Sequence, residues 1–491
     1  MKNKIILLFF VSVIFQFYTW SEGHNWGGDF ASYIMQAISI SDGTVEKFIY
    51  QNNLAMTLSS SPMGPVNYPW GFPIMLSPIY SVFGFDIIFF KTLVLIFFIS
   101  FLIIISKIFK NEFDDNEQLI YLGIFALNPY LLKFGDSILS DIPFLFFSTL
   151  SIYLLNKLNK ETSPIKVLIL SSTIGLIFMW SANIRTNGLL LPISYVFFVL
   201  LTLISKSYIR LRKLNLNLLE LENFSLRIKI AVYIFPIVFF LLSNWYFLEI
   251  ISNNQETHFD FLNRINYKTI VINLTYYSII IKDFFGPSYF GAILYIASIP
   301  FVILGLKNKW RSSIFIIIYT FLTLALYVVW PFRQGLRFLF PILPFYIYFF
   351  VIGLRELDLL NNKLNIKKKI NIFLILSFFL ISSFQIYNNY NNNFKLKNGP
   401  YSKNSIEMFD VIKNNVGELE VVIFRKPRVM TLFTTKKSII YTDINDFKKL
   451  NWYVVDKDNF MNIDLKRDIL FKKNPVIKYY ENNQFIIYKF L

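Results

Sequence analysis

Thr92-Leu93-Val94-Leu95-Ile96-Phe97-Phe98-Ile99-Ser100-Phe101-Leu102-Ile103-Ile104-Ile105 holds no charge and only two hydroxyls in fourteen residues. Extended to residues 87–106, the stretch reaches the length at which an α-helix crosses the hydrocarbon core of a bilayer, about 30 Å. Lys107 and Lys110 close it on one side. Helix is the only single-segment structure that satisfies its own backbone in lipid, so this stretch predicts a membrane-spanning helix.

The rest of the chain repeats the pattern. Comparable apolar stretches fall near 4–20, 118–134, 140–156, 166–183, 188–205, 230–248, 289–306, 312–330, 337–354 and 370–387, which makes about eleven spans in all. Over the 491 residues, 55% are hydrophobic and 16% charged, and the mean hydropathy is +0.49. That balance excludes an ordinary soluble domain. A formal charge of +17 would suit nucleic acid if it were gathered on one soluble face, but here the basic residues punctuate apolar runs. Their distribution is therefore a topological signal, and no nucleic-acid partner is expected. There is no cysteine, and His24 and His258 are the two histidines. Disulfides, thiol chemistry and a multi-histidine metal centre are thereby excluded.

Met1 to Trp20 has the basic start and apolar run of a signal peptide, but no small-x-small site follows, so it is expected to remain as the first span. With the N-terminus in the cytoplasm, the predicted inner segments carry about 21 Lys and Arg, against 9 in the outer segments before the tail. An odd number of spans then places the C-terminal region outside. The expectation is a multi-pass protein of the plasma (inner) membrane. Two outer segments are long, roughly 21–86 and 249–288. The first contains Tyr68-Pro69-Trp70-Gly71-Phe72-Pro73, followed by an apolar run, Ile74 to Phe83, too short to span and suited to the interface. After the Asn-rich stretch Asn388 to Asn393 the composition changes. Helical spacing at Ile406, Phe409, Ile412 and Val416, short strands at Val421–Phe424 and Trp452–Val455, and a hairpin around Glu481-Asn482-Asn483 predict a small α/β extracytoplasmic domain over 398–491, appended to a helical membrane domain over 1–390.

The residues able to do chemistry collect on the predicted outer side. Asp29 lies in Gly27-Gly28-Asp29-Phe30-Ala31-Ser32-Tyr33; a carboxylate there can stay ionised and take a proton from a hydroxyl, or can simply cap a helix starting at Phe30. Asp136 follows the third span. Asp141, two residues before Pro143, fits a capped helix start equally well. Arg185, in Asn183-Ile184-Arg185-Thr186-Asn187-Gly188, and Arg333 and Arg337, on either side of Gln334-Gly335-Leu336, have the forked guanidinium that binds phosphate; each taken singly could instead reach a lipid headgroup. Together they set carboxylates against a cationic clamp on one face. That is what displacement of a phosphate leaving group requires.

Gly28-Asp29 with Tyr33, the Tyr68-to-Pro73 stretch, Ser140-Asp141-Ile142-Pro143-Phe144, Arg185-Thr186-Asn187-Gly188 and Arg337-Phe338-Leu339-Phe340-Pro341-Ile342-Leu343-Pro344 resemble, in order and in side, the GT-C lipid-linked glycosyltransferases. The likeness is greatest to the bacterial relatives of the protein mannosyltransferases and to the aminoarabinose transferases, and covers roughly residues 1–390. It implies a GT-C-like fold of α-helical polytopic type and a polyprenyl-phosphate-linked sugar donor whose sugar passes to a hydroxyl on a lipid, glycan or protein acceptor. It implies Asp29 as base, Asp141 in its support, and Tyr33, Asp136, Arg185, Arg333 and Arg337 as substrate contacts. Phe30 stands where a second acidic residue often follows, so Asp29 lacks the usual neighbour for a metal or paired-carboxylate role; no cofactor is called for, and a divalent cation is left open. A lipid-linked glycan flippase, which would favour charges near mid-bilayer and an inverted repeat, and a glycan polymerase or ligase of different fold remain as alternatives.

Overall fold

The computed structural model of the protein describes residues 2–60, 63–207, 224–251, 266–286, 288–355, 366–391, 399–441, 451–459 and 475–491. The fold is a bundle of apolar helices with a small sheet unit seated at one end. Five described helices are long and apolar enough to cross a membrane: Ile87–Ile108, Pro164–Ile184, Thr186–Ser205, Leu226–Trp245 and Tyr289–Lys309. Lys2–Thr19, Asp141–Leu158, Ile314–Val329, Leu343–Gly353 and Ile366–Asn391 fall on five more of the expected spans. The third expected span is two helices, Asp115–Ala126 and Pro129–Gly135, because Asn128 caps the second one and Pro129 starts it.

Close packing within the bundle depends on small residues. Gly305 and Gly353 set Ser288–Lys309 against Leu343–Gly353; a Cβ on Gly305 would stand 1.9 Å from the Phe349 carbonyl oxygen. In lipid, where apolar side chains gain little by leaving one apolar medium for another, such backbone approach is a main source of helix association. The opposite ends of the helices are tied by ion pairs remote from the sheet unit: Arg355 forks onto the buried Glu117, and Lys309 reaches Glu112 at 2.6 Å.

The first long connection, expected as a loop with an interfacial run, is three helices: Gly28–Ser41, Val45–Leu58 and Gly71–Phe83. The second contains the helix Tyr267–Ile280 and a 3-10 turn, Ile281–Phe285, that carries Asp283. His258, Asp260 and Arg264 lie outside the described residues.

At the C-terminus, the expected helix is Lys403–Asn415, and the strands are β1 (Val421–Ile423), β2 (Lys437–Ile439), β3 (Trp452–Asp456), β4 (Val476–Glu481) and β5 (Phe485–Phe490), in the order β2-β1-β3-β5-β4. β1 pairs in parallel with β2 and β3, while β3, β5 and β4 run antiparallel. One face buries Val421, Ile423, Ile439, Tyr453 and Val455; the other, with Val422, Trp452, Val454, Phe485 and Ile487, joins the core that runs on into the bundle. A short helix, Pro427–Thr434, and β2 were not anticipated from the sequence. The helix bears on the site through Arg428.

Candidate active site

The first turn of Gly28–Ser41 carries Asp29. Gly27 takes the N-cap position, with extended backbone and no side-chain cap bond, so the Asp29 carboxylate is free to point elsewhere. Its Oδ1 accepts from the Tyr68 hydroxyl at 2.8 Å, and its Oδ2 faces the Arg337 Nη1 and Nη2 at 3.3 and 3.2 Å. Asp141 begins Asp141–Leu158 and likewise makes no cap; Ser140 is the cap residue. The Asp141 side chain, 1% exposed, accepts from Arg337 Nε at 3.0 Å and from Arg185 Nη1, while its Oδ2 is buried without a partner. Capping therefore explains neither carboxylate.

Arg185 terminates Pro164–Ile184, and Arg337 sits in a 3-10 turn, Gly335–Leu339, entered through Gly335 at φ +71°. Four segments remote in sequence thus form a chain: Arg185, Asp141, Arg337, Asp29. Asp141 lies behind both guanidinium groups and fixes them by one edge. A buried carboxylate without such partners would be prohibitively costly. Burial alone would raise the Asp29 carboxyl, but the Arg337 charge, the Tyr68 hydrogen bond and the Arg428 charge outweigh it and hold it below the usual carboxylate range. Burial would lower Arg337, yet Asp141 and Asp29 push its pKa up, so it stays cationic.

Tyr33 stands one turn along from Asp29. Its hydroxyl meets Ser140 Oγ at 2.8 Å, its ring packs against Tyr68 and edge-on to Phe72, and burial followed by the Asp29 charge pushes its pKa up to about 12. Asp136 lies elsewhere. It pairs with the buried Lys91 at 2.7 Å and accepts from the Ser21 backbone and hydroxyl, fixing the segment that leads into Asp29. Arg333 also stands apart, with its guanidinium over the Tyr276 ring at 5.4 Å. Tyr68, Asn187, whose amide donates to Tyr327, and Arg428 acquired no role from the sequence. Tyr68 and Asn187 lie within stretches already singled out; Arg428 carries no signal beyond its charge.

Two cavities meet at the cluster. The larger, about 600 Å³, is lined by Asp29, Tyr33, Tyr68, Arg185, Asn187 and Arg337 together with Leu189, Leu190, Ile193, Leu326, Trp330 and Phe332, and its wall is mostly apolar. The smaller, about 390 Å³, is lined by His24, Asn25, Lys133, Ser137 and Gln334 among others, and again by Asp29 and Arg337. Those two side chains line both an apolar-walled chamber and a more polar one. Among the described residues no three His, Asp or Glu side chains converge as a metal-ligand set; Asp29 and Asp141 instead share a guanidinium.

The fold has counterparts of known structure. The chain superposes on ArnT from Cupriavidus metallidurans in its apo state with a TM-score of 0.57, covering 99% of this chain and 98% of ArnT, at 9% identity. It superposes on the same protein bound to undecaprenyl phosphate with a TM-score of 0.57 at 10% identity, covering 100% and 98%. The fold is GT-C. The archaeal oligosaccharyltransferase AglB from Archaeoglobus fulgidus, in complex with an inhibitory peptide and a dolichol-phosphate, also matches, with a TM-score of 0.53 and 10% identity over 93% of this chain and 69% of AglB. No family profile matches the sequence, and no curated protein matches it by sequence comparison. At 9–10% identity these likenesses concern the GT-C fold, and a membrane-embedded protein with it.

Proposed function

We propose that the chain is a membrane glycosyltransferase that moves a sugar from a polyprenyl-phosphate donor to an acceptor hydroxyl at the extracytoplasmic face, with Asp29 as general base. The observation that carries this reading is that Asp29 and Arg337 line both cavities. The larger chamber suits a lipid-linked donor: its wall is mostly apolar, and Arg185 and Arg337 are among the residues that line it. Asp141 anchors both from behind, and the weaker Arg337 contacts to Asp29, 3.2 and 3.3 Å long, are the ones a phosphate oxygen would replace. That the GT-C structure of ArnT was obtained with undecaprenyl phosphate bound supports a polyprenyl phosphate as the carrier.

The acceptor hydroxyl would approach from the smaller chamber. Asp29 takes its proton, the oxygen bonds to the anomeric carbon, and the bond from that carbon to the phosphate oxygen breaks. Polyprenyl phosphate departs with the electron pair, and the two arginines stabilise its charge. A single displacement inverts the anomeric configuration. In a site shielded from bulk water each guanidinium counts for more than it would in solution.

The reading is tested with purified protein and a panel of polyprenyl-phosphate sugars. Asp29→Asn should lower turnover by about 10²- to 10⁴-fold, the usual contribution of a general base, with the protein still folded. Wild-type turnover in that variant overturns Asp29 as base. A wild-type protein that transfers from no donor overturns the transferase reading itself.

A further inference from the structure

We infer that the C-terminal α/β unit completes the active site, with Arg428 as a positioning residue that orients the Asp29 carboxylate through Tyr68. The inference rests on the proposed role of Asp29. Arg428 is the second residue of Pro427–Thr434 and is 5% exposed. That helix packs on Gly28–Ser41, the helix that carries Asp29. The Arg428 guanidinium lies over the Tyr68 ring at 5.1 Å, and its Nη1 donates to the Tyr68 hydroxyl at 3.1 Å. That hydroxyl has a single proton, which it gives to Asp29 Oδ1 at 2.8 Å. A donor that occupies the tyrosine oxygen from the other side fixes the direction of the proton: Arg428 to Tyr68, Tyr68 to Asp29.

The same guanidinium shapes the wall of the larger cavity. Its Nη2 donates to the Pro65 carbonyl at 2.5 Å, and Gly64, at φ +91°, turns its missing side chain toward Nη1 and Nη2, 3.8 and 3.9 Å from where a Cβ would be. Gly64, Pro65 and Tyr68 line the cavity. On the other side of Asp29 in sequence, Trp26 enters the C-terminal unit among Phe409, Phe424 and Phe485, with the Arg425 guanidinium 4.7 Å from its ring centre. The unit therefore grips both segments that meet at Asp29. A unit that served only as a tether would have no need to bury an arginine one hydroxyl away from a carboxylate.

The test uses the full-length protein and steady-state kinetics with a polyprenyl-phosphate sugar donor. Arg428→Gln is expected to lower kcat by about tenfold, leaving the donor KM within about twofold, because an interaction that orients the base acts on the chemical step. Arg428→Lys should restore most of the loss, since an ammonium can still donate to the Tyr68 hydroxyl. Tyr68→Phe keeps the ring beneath the guanidinium and removes the relay, and should cost a similar factor; with the relay already broken, adding Arg428→Gln should cost little more. Independent, multiplying losses would overturn the coupling, as would an unchanged kcat in Arg428→Gln or a loss expressed in donor KM alone. Should Arg428→Gln fold poorly, Tyr68→Phe decides alone: wild-type kcat in that variant overturns the inference. Asp29→Asn is measured alongside. If it retains full turnover, the role of Asp29 fails; if it is inactive while Arg428→Gln is unaffected, only the positioning role fails.

Discussion

Arg337 serves two carboxylates that are unequally placed. Asp141 is buried and holds two guanidiniums, so Asp141→Ala leaves two partly buried cations without their common partner and should destabilise the protein by roughly 3–5 kcal/mol in a thermal or denaturant melt. Asp29 is 29% exposed in its side chain and keeps a hydroxyl donor, so Asp29→Asn should cost far less stability than activity. Because the folded state holds the Asp29 carboxyl below its ordinary value of 3.8, the base stays ionised as the pH falls, and the acid limb of kcat/KM that belongs to it should lie below pH 3.8. His24 also has a lowered pKa in the folded state, but there it is the neutral form that the native protein keeps. It is buried, stacked on Phe30, and bonded through Nδ1 to the Asn25 carbonyl and through Nε2 to the Ile138 amide; desolvation lowers its pKa to about 4. The folded protein thus favours the neutral imidazole. The stability this gives is present above pH 6.5 and is lost as the pH falls toward 4, amounting to roughly 3 kcal/mol, and a His24→Gln variant should show a flatter dependence of melting temperature on pH over that window. Asp29 and Arg337 could be singled out in the sequence because their segments return to the one predicted face where arginine is discouraged. His24 offered no such signal: a lone histidine acquires its character only from what surrounds it.

At the scale of elements, the outer segments are set by close backbone contact and one buried ion pair. A Cβ on Gly71 would stand 2.7 Å from the Asn183 carbonyl carbon and oxygen, so Gly71→Ala must push Gly71–Phe83 away from the end of Pro164–Ile184, two residues from Arg185. We expect a loss of about 1–3 kcal/mol in stability, of the size seen on overpacking, together with a drop in activity larger than that loss of folded protein explains. Lys91, 1% exposed, donates to Asp136 and to the Ser21 and Gly23 carbonyls, all at 2.7 Å. The helix boundaries of the bundle were largely legible, since apolar length is a property of sequence alone. The split of the third span at Asn128-Pro129 was legible only in hindsight, and residues 21–86 read as an outer segment with one interfacial run because helices of 14, 14 and 13 residues lack the apolar length that marks a span.

For the whole molecule, the excess of Lys and Arg in alternate connections predicts that the C-terminal unit faces the extracytoplasmic side. A reporter fused after Leu491 should be active only in a form that requires export, and activity in the cytoplasm would reverse the topology. The sequence by itself determined that this chain is a bundle of membrane helices with a small α/β unit at its end. Apolar runs of about twenty residues have few alternatives in lipid, and alternating apolar positions have few in water. The tertiary structure alone decided which of the scattered charges form a site. It put Asp29, Asp141, Arg185 and Arg337 in one chain, sent Asp136 to Lys91 and Arg333 to Tyr276, and brought Arg428, 360 residues from Tyr68 along the chain, to within hydrogen-bonding distance of its hydroxyl. A charge in sequence specifies only that it needs a partner. Which partner it finds depends on how the helices pack, and that is settled by contacts spread over the whole bundle.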